Sequence, residues 1–336
     1  MSATTPRAGT VTLTERTVDR TFVALAGWLM TGVYLDAWAH LSRLPDSFWT
    51  PWHGILYSGL LACGVFLFVL RGTSYRELLG RGYRLSLVGF AIGALAGVAD
   101  AIWHTVFGIE FDVEAAVSPP HLAVAVGILL VVTGPARAAW ARHRFGLPAA
   151  LSLLYGLSIV TVVLDYANPY SSAFGAGAAP ATHAAADLEQ TVALFAFMAY
   201  AALSAGVSVI AVRSDPRSAP WLAFVIGANG VALTLVNGPL HPEAVPALLG
   251  VALFTGAAVL VAAVSLRPSA ERPWTLRAFV FLIPVFAYVA YSVAITLGLG
   301  TWWSPTFWNG LIAVGSLTAL LVSSVGVLGR PEDASR

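Results

Sequence analysis

The sequence predicts an all-α polytopic membrane protein with about ten transmembrane helices arranged as five tandem helical-hairpin repeats. Its composition is typical of a membrane protein, since 58% of the 336 residues are hydrophobic and only 10% are charged, against about 25% charged residues in soluble domains. Mean hydropathy is +0.78. Apolar runs of about 20 residues, the length that crosses a bilayer as a helix, recur along the chain. A third observation, a repeated pattern of Asp, Pro and His, predicts the hairpins.

The ten spans are predicted directly from the apolar runs. They lie at about 20–41, 52–70, 85–106, 120–140, 147–166, 185–212, 220–237, 244–266, 277–298 and 306–328. The first span is long and follows a polar segment, so we expect a retained helix and not a cleaved signal peptide. The expected organisation is one transmembrane domain at 20–328 between cytoplasmic tails at 1–19 and 329–336. Its hairpin units lie at about 20–71, 85–141, 147–212, 220–266 and 277–328.

The distribution of arginine predicts the orientation of these spans. All 18 lysine and arginine residues are arginine. All but Arg43 lie in the two tails or in the loops after every second span, which are on the same side of the membrane. Because positively charged loops stay in the cytoplasm, both termini are expected there, in the plasma membrane. The hairpin loops on the far side carry the acids Asp46, Glu110, Asp112, Glu114 and Glu243.

The first two outer loops share a pattern of ionisable residues. The first unit reads Asp36-x3-His40, followed by Thr50-Pro51-Trp52-His53, and the second reads Asp100-x3-His104, followed by Ser118-Pro119-Pro120-His121. An acid and an imidazole four residues apart share one helix face. A hydroxyl residue followed by proline is a helix start, with the hydroxyl residue as N-cap. The second histidine of each pattern is therefore expected in the first turn of the returning helix.

The pattern weakens along the chain. Asp36, Asp100 and Asp165 are 64 and 65 residues apart, and the third unit also keeps His183 after Pro180-Ala181-Thr182. The fourth unit keeps His241 and the fifth has Phe307 at that position. This regular period indicates duplicated hairpins of one orientation, with the later units acting partly as scaffold.

The residue types predict a metal site at the outer ends of the spans. An ionised carboxylate at membrane depth costs about 2.5–3.5 kcal/mol on insertion scales, and a helix C-terminus disfavours an anion further. A helix N-terminus favours neutral imidazole, which is the ligating form. The expected ligands are Asp36, His40, His53, Asp100, His104, His121, Asp165 and His183. The structural alternative for any one of them is an ordinary hydrogen bond between helices or a helix cap.

Copper, iron and zinc are the candidate metals, because carboxylate and imidazole suit all three. The single Cys63 excludes a cysteine-based metal motif and an intrachain disulfide, and is expected to be a small buried residue. The tryptophans near the outer face are expected to form an interfacial belt. They are Trp38, Trp49, Trp52, Trp103, Trp302, Trp303 and Trp308.

The Asp-x3-His-x12-His spacing of Asp36, His40 and His53 resembles the intramembrane copper motif in the C subunit of particulate methane and ammonia monooxygenases. A second patch matches with a loop four residues longer, and its residues are Asp100, His104 and His121. The resemblance covers two short patches, and the ten-span layout differs from that family. The resemblance implies a copper site within the membrane, which makes copper the expected metal ahead of iron and zinc, and it implies oxidation of a small apolar substrate.

The leading functional hypothesis is therefore a copper- or iron-dependent, monooxygenase-like oxidoreductase acting on a small or lipophilic substrate. A zinc-dependent lipid hydrolase is the close alternative, with Glu110 and Glu114 as candidate bases by position only. A metal-ion transporter and a haem protein are further alternatives. The expected partner is the lipid bilayer, and a net charge of +1 argues against nucleic-acid binding. The Gly- and Ala-rich loop at 171–181 is the expected mobile entrance to the site.

Overall fold

The computed structural model describes residues 14–325 except 45–46, 48, 74–76, 78, 80–81, 109–116 and 166–167. In this part of the chain the protein is helical, and the only β-structure consists of two isolated bridges. The predicted all-α polytopic class is confirmed. Residues 1–13 of the predicted N-terminal tail and all of the C-terminal tail lie outside the described residues, as do Asp46, Glu110, Asp112 and Glu114.

Eleven α-helices are found among the described residues. They are α1 (Glu15–Leu41), α2 (Pro51–Arg71), α3 (Arg84–Phe107), α4 (Pro119–Val132), α5 (Gly134–Arg142), α6 (Leu147–Val163), α7 (His183–Ser214), α8 (Ala219–Asn237), α9 (Val245–Leu266), α10 (Pro273–Gly298) and α11 (Pro305–Val325). Nine helical segments of the described chain are long and apolar enough to cross a membrane, with α4 and α5 counted together, and α6 is a shorter apolar helix of 17 residues.

Three boundaries differ from the predicted spans for local reasons. Helix α1 begins at Glu15 because the Thr14 side chain accepts a hydrogen bond from the Thr17 amide, so the helix starts five residues early. The fourth span is interrupted at Thr133, and Pro135 follows in the first turn of α5, where its missing N–H costs little. Helix α6 ends at Val163, which leaves Asp165 beyond the helix.

The antiparallel pairs α1–α2, α3–α4, α8–α9 and α10–α11 pack closely along their lengths. The third unit differs, because α6 packs against α8 and against α1, α4 and α5, whereas α7 packs most extensively against α11. The two helices of the third unit are therefore separated from each other. Helix α6 contributes Ile159 to the core formed by α1 to α5. The long loop at 164–182 allows this separation.

Glycines bring the helices of the first two hairpins into close backbone contact. A Cβ on Gly32 of α1 would lie 2.4 Å from the Leu56 Cα of α2. A Cβ on Gly127 of α4 would lie 2.6 Å from the Gly93 nitrogen of α3. Small residues permit this approach in membrane helices, where van der Waals packing drives association. The close crossings bring the outer ends of each helix pair together.

The second half of the bundle has an aromatic core, and two tryptophans expected in the interfacial belt belong to it. Trp303 and Trp308 are 3% and 7% exposed and pack against Tyr291 and its neighbours. The loop expected to be a mobile entrance is anchored to this core, because the Gly175 amide donates to Glu189 and its carbonyl accepts from the Trp302 amide. Cys63 is fully buried and free, as predicted.

Candidate metal centre

The outer ends of the first two hairpins hold two groups of ionisable side chains. Asp36 and His40 lie in the last turns of α1, and His53 lies in the first turn of α2. The second hairpin repeats this placement. Its residues are Asp100 and His104 near the end of α3 and His121 at the start of α4. Each hairpin thus brings a carboxylate and an imidazole from one helix against an imidazole from the next.

In the first group the two imidazoles face one carboxylate oxygen. The Asp36 Oδ1 atom lies 3.1 Å from His53 Nε2 and 3.7 Å from His40 Nε2. His53 is 3% exposed, whereas the side chains of Asp36 and His40 are each 19% exposed. The ligand from α2 is therefore buried, and the two ligands from α1 are partly accessible.

The second group has the same arrangement and is more deeply buried at its acid. The Asp100 Oδ1 atom lies 3.5 Å from both His104 Nε2 and His121 Nε2. Asp100 is 1% exposed, and the His121 side chain is 20% exposed. Each group thus has at least one buried ligand and one more accessible imidazole, His40 in the first and His121 in the second.

The other ring nitrogen of each helix-start histidine is held by the residue three positions earlier. His53 Nδ1 lies 3.0 Å from Thr50 Oγ1 and also 3.2 Å from the Ser47 carbonyl, and His121 Nδ1 lies 2.9 Å from Ser118 Oγ. Neither hydroxyl caps its helix. Thr50 and Ser118 therefore occupy the predicted N-cap positions, but their side chains orient the imidazoles.

Two backbone carbonyls decide which nitrogen carries the proton. His104 Nδ1 lies 3.2 Å from the Gly108 carbonyl, and His53 Nδ1 lies near that of Ser47. A carbonyl oxygen only accepts, so Nδ1 is the donor and a neutral ring leaves a lone pair on Nε2. Asp36 Oδ1 and Asp100 Oδ1 are buried and accept no hydrogen bond. With neutral rings in this tautomer, a lone pair on Nε2 faces a carboxylate oxygen in both groups.

A bound cation would resolve this conflict between facing acceptors. Two ligand atoms each about 2.0–2.15 Å from a tetrahedral metal are about 3.3–3.5 Å apart, and the four Nε2–Oδ1 distances lie between 3.1 and 3.7 Å. All three ligand atoms of each group lie within 4.8 Å of one another. Both groups could hold a transition-metal ion, with three protein ligands and open coordination positions.

The two groups are neighbours within one centre. The ring centroids of His40 and His121 are 6.5 Å apart, close to the 5.4 Å between His104 and His121 within the second group. His40 and His121 are also partly exposed. The shared edge of the two groups is therefore the accessible edge of the centre.

Asp165 and His183, the two candidate ligands of the third unit, are placed differently. Asp165 Oδ1 accepts a hydrogen bond of 3.1 Å from Asn237 Nδ2 of α8. His183 is exposed at the first position of α7. In the described part of the chain neither belongs to a group of three metal-ligating side chains. The opened third unit explains this, because α6 and α7 do not close into a hairpin.

Sequence reasoning missed one residue of the centre and a polar network below it. Tyr57 donates a 3.3 Å hydrogen bond to Asp100 Oδ2. In the bundle interior, Asn229 bonds both Ser158 and Thr161, and Tyr34 also donates to Ser158. Tyr57 could have been found from the sequence, because it lies one helical turn after a candidate ligand histidine. The polar network could not, because no spacing rule links its residues, which come from distant parts of the chain.

Comparisons with models of protein families, with curated proteins and with solved structures found no match to this chain.

Proposed function

We propose that this protein is a membrane-embedded, copper-dependent oxidoreductase with two adjacent metal sites that oxidises a small lipophilic substrate. The observation that carries the proposal is the pair of buried carboxylate oxygens, each facing two imidazole Nε2 atoms without accepting a hydrogen bond. Asp36, His40 and His53 would hold one metal ion, and Asp100, His104 and His121 the other.

The ligand set supports a transition metal, and the chain provides no thiolate near either site. One carboxylate and two imidazoles suit copper, iron or zinc and leave positions for an exogenous ligand. The resemblance of the first triplet to an intramembrane copper motif favours copper. When bound, copper supplies one-electron redox chemistry and activation of dioxygen.

The residues of this chain have three tasks in the proposed reaction. Thr50, Ser118 and the loop carbonyls orient the imidazoles so that Nε2 faces the metal position. The carboxylates neutralise part of the metal charge at the end of a membrane helix. His40 and His121 line the accessible edge of the centre, where a substrate dissolved in the bilayer would approach.

The positive-inside rule supports an extracytoplasmic position for the centre. The described arginines at the opposite ends of the helices include Arg71, Arg84, Arg142 and Arg213, and such residues remain cytoplasmic. The site would then open toward the outer leaflet of the plasma membrane.

Metal analysis of purified protein tests the first part of the proposal. We expect about two metal ions per wild-type chain and a loss of most of this metal in the double variant His40→Ala and His104→Ala. The matched control is His143→Ala with His183→Ala, which removes two exposed imidazoles outside both groups and should keep the full metal content. Equal metal in the wild type and the site variant would overturn the proposal.

Activity of the copper-loaded protein separates oxidation from hydrolysis. We expect copper-dependent consumption of dioxygen that requires both a small apolar substrate and an added two-electron donor, because insertion of one oxygen atom into the substrate reduces the other atom to water. Loading with zinc should give no comparable gain. Ester hydrolysis that rises with zinc and not with copper would favour the zinc-dependent lipid hydrolase. Uptake of metal into proteoliposomes, lost in Asp36→Ala, would favour a transporter.

A further inference from the structure

Tyr57 extends from the first hairpin into the second metal group. It lies on α2, one turn after His53, and the ring centroids of these two residues are 6.2 Å apart. Its hydroxyl reaches α3 and donates to Asp100 Oδ2 at 3.3 Å. The acid of the second group therefore receives a hydrogen bond from the helix that provides a ligand to the first.

This hydrogen bond acts on the carboxylate oxygen that does not face the histidines. Asp100 Oδ2 accepts from Tyr57, while Oδ1 of the same carboxylate faces His104 and His121 and accepts no hydrogen bond. A carboxylate held at one oxygen has fewer orientations available. The Tyr57 hydroxyl thus keeps Oδ1 directed at the two imidazoles.

The helix on the other side accommodates the tyrosine ring. Gly97 lies on α3 one turn before Asp100, and a Cβ there would be 2.6 Å from Tyr57 Cε1. The ring therefore fits where α3 has no side chain. The corresponding position one turn after His121 is Ala125, which has no hydroxyl. Position 125 therefore cannot give the first group the reciprocal hydrogen bond.

We propose that Tyr57 is a positioning residue for the metal site of Asp100, His104 and His121, so that this site is completed by the first hairpin. The inference rests on the proposed function, since it concerns metal binding at that centre. Hydrogen-bonding partners outside the ligand set typically contribute about 10–100-fold to metal affinity. Loss of the hydroxyl should weaken the second site by that factor and leave the first site unchanged.

The test uses two backgrounds that each retain one site. His40→Ala with His53→Ala leaves the second site, and His104→Ala with His121→Ala leaves the first. Cu(II) affinity is measured by chelator competition, because Cu(II) binds such ligands more tightly than the other divalent metals of the first row do. We expect Tyr57→Phe to weaken Cu(II) binding about 10–100-fold in the second-site background only, with a changed Cu(II) electron paramagnetic resonance spectrum.

Tyr34→Phe is the matched control, because the Tyr34 hydroxyl donates to Ser158 instead of to a ligand. It should leave both affinities unchanged. Unchanged affinity of the second site in Tyr57→Phe, or equal weakening of both sites, would overturn the positioning role while leaving the proposed function standing. If proteins that retain Tyr57 bind no Cu(II) in any background, both the positioning role and the proposed function are overturned.

Discussion

The hydroxyl three residues before each helix-start histidine has a role that depends on the imidazole it contacts. Thr50 Oγ1 and Ser118 Oγ lie 3.0 and 2.9 Å from the Nδ1 atoms of His53 and His121, respectively. The usual role of such a hydroxyl is to cap the helix, as Thr182 does at α7. A hydroxyl side chain therefore contacts an imidazole at two helix starts and caps the helix backbone at a third.

This difference gives a prediction for Thr50→Val and Ser118→Ala. Each should weaken metal binding at its own site by about 10–100-fold, because the imidazole loses a contact that orients its ring. Chelator competition on the purified variants measures the effect. Thr182→Val is the control and should change helix stability without changing metal affinity; a loss of affinity as large as that of Thr50→Val would contradict the orienting role.

The second prediction at the scale of single residues is that Asp165 makes the stability of the protein depend on pH. Burial raises the pKa of Asp165 to about 6, and hydrogen bonds from Asn237 and Asn168 offset part of the rise. Because the folded protein then holds the proton more tightly than the unfolded chain, stability falls as the pH rises from about 4 to about 6. Asp165→Asn, which cannot ionise, should melt at a higher temperature than wild type at pH 8.

Thermal melts in detergent between pH 4 and pH 8 measure this difference. The advantage of Asp165→Asn should be much smaller at pH 4, where the carboxyl is protonated in the folded protein and is close to its own midpoint of 3.8 in the unfolded chain. The variant should also keep the wild-type metal content, since Asp165 bonds Asn237 and lies outside both ligand groups. A variant that is less stable at pH 8, or that loses metal, would be inconsistent with this role.

At the scale of helices, glycine contacts determine how closely the ligands of one hairpin approach each other. A Cβ on Gly59 of α2 would lie 2.6 Å from the Leu29 Cα of α1, whereas a Cβ on Gly54 of the same helix would meet nothing within 4 Å. The α1–α2 crossing therefore depends on Gly59 and not on Gly54. Asp36 and His53 lie on opposite helices of this crossing.

We expect Gly59→Ala to separate α1 from α2 and to weaken the first metal site, with a destabilisation of about 1–3 kcal/mol that is typical of overpacking. Gly54→Ala, on the same helix, should leave affinity and stability near wild type. Copper affinity and thermal melting of the two variants provide the comparison. Equal behaviour of both variants would show that the close crossing does not control the site.

At the scale of the whole molecule, the predicted orientation can be tested with cysteine labelling. Cys63 is the single cysteine and is fully buried, so Cys63→Ala provides a cysteine-free background. Trp49 lies just before α2, at the end of the bundle that holds the candidate metal ligands, and is 88% exposed, and Arg144 is exposed in the loop between α5 and α6. The two positions lie at opposite ends of the bundle.

In intact cells, Trp49→Cys should react with a membrane-impermeant maleimide, and Arg144→Cys should react only after permeabilisation. The reason is that the arginine-rich ends of the helices are expected to stay in the cytoplasm. The reverse labelling pattern would place the metal centre on the cytoplasmic side and contradict the proposed localisation.

The spans and the grouping of the two candidate ligand triplets could be predicted from the chain alone because both depend on local spacing. A helix that crosses the bilayer needs a continuous apolar run. An acid and a histidine four residues apart share a helix face in any context, as Asp36 and His40 do. A short loop then obliges the next helix to return beside the first, which brings His53 to Asp36.

Contacts between elements far apart in sequence required the tertiary structure. The neighbouring positions of His40 and His121, the reach of Tyr57 to Asp100 and the opening of the third unit all depend on how helices pack. Helix packing is governed by side-chain shape, as at Gly97, and no periodicity in the sequence reports which glycine will meet which ring. For the same reason Asp165 shares the pattern of Asp36 and Asp100 but pairs with Asn237.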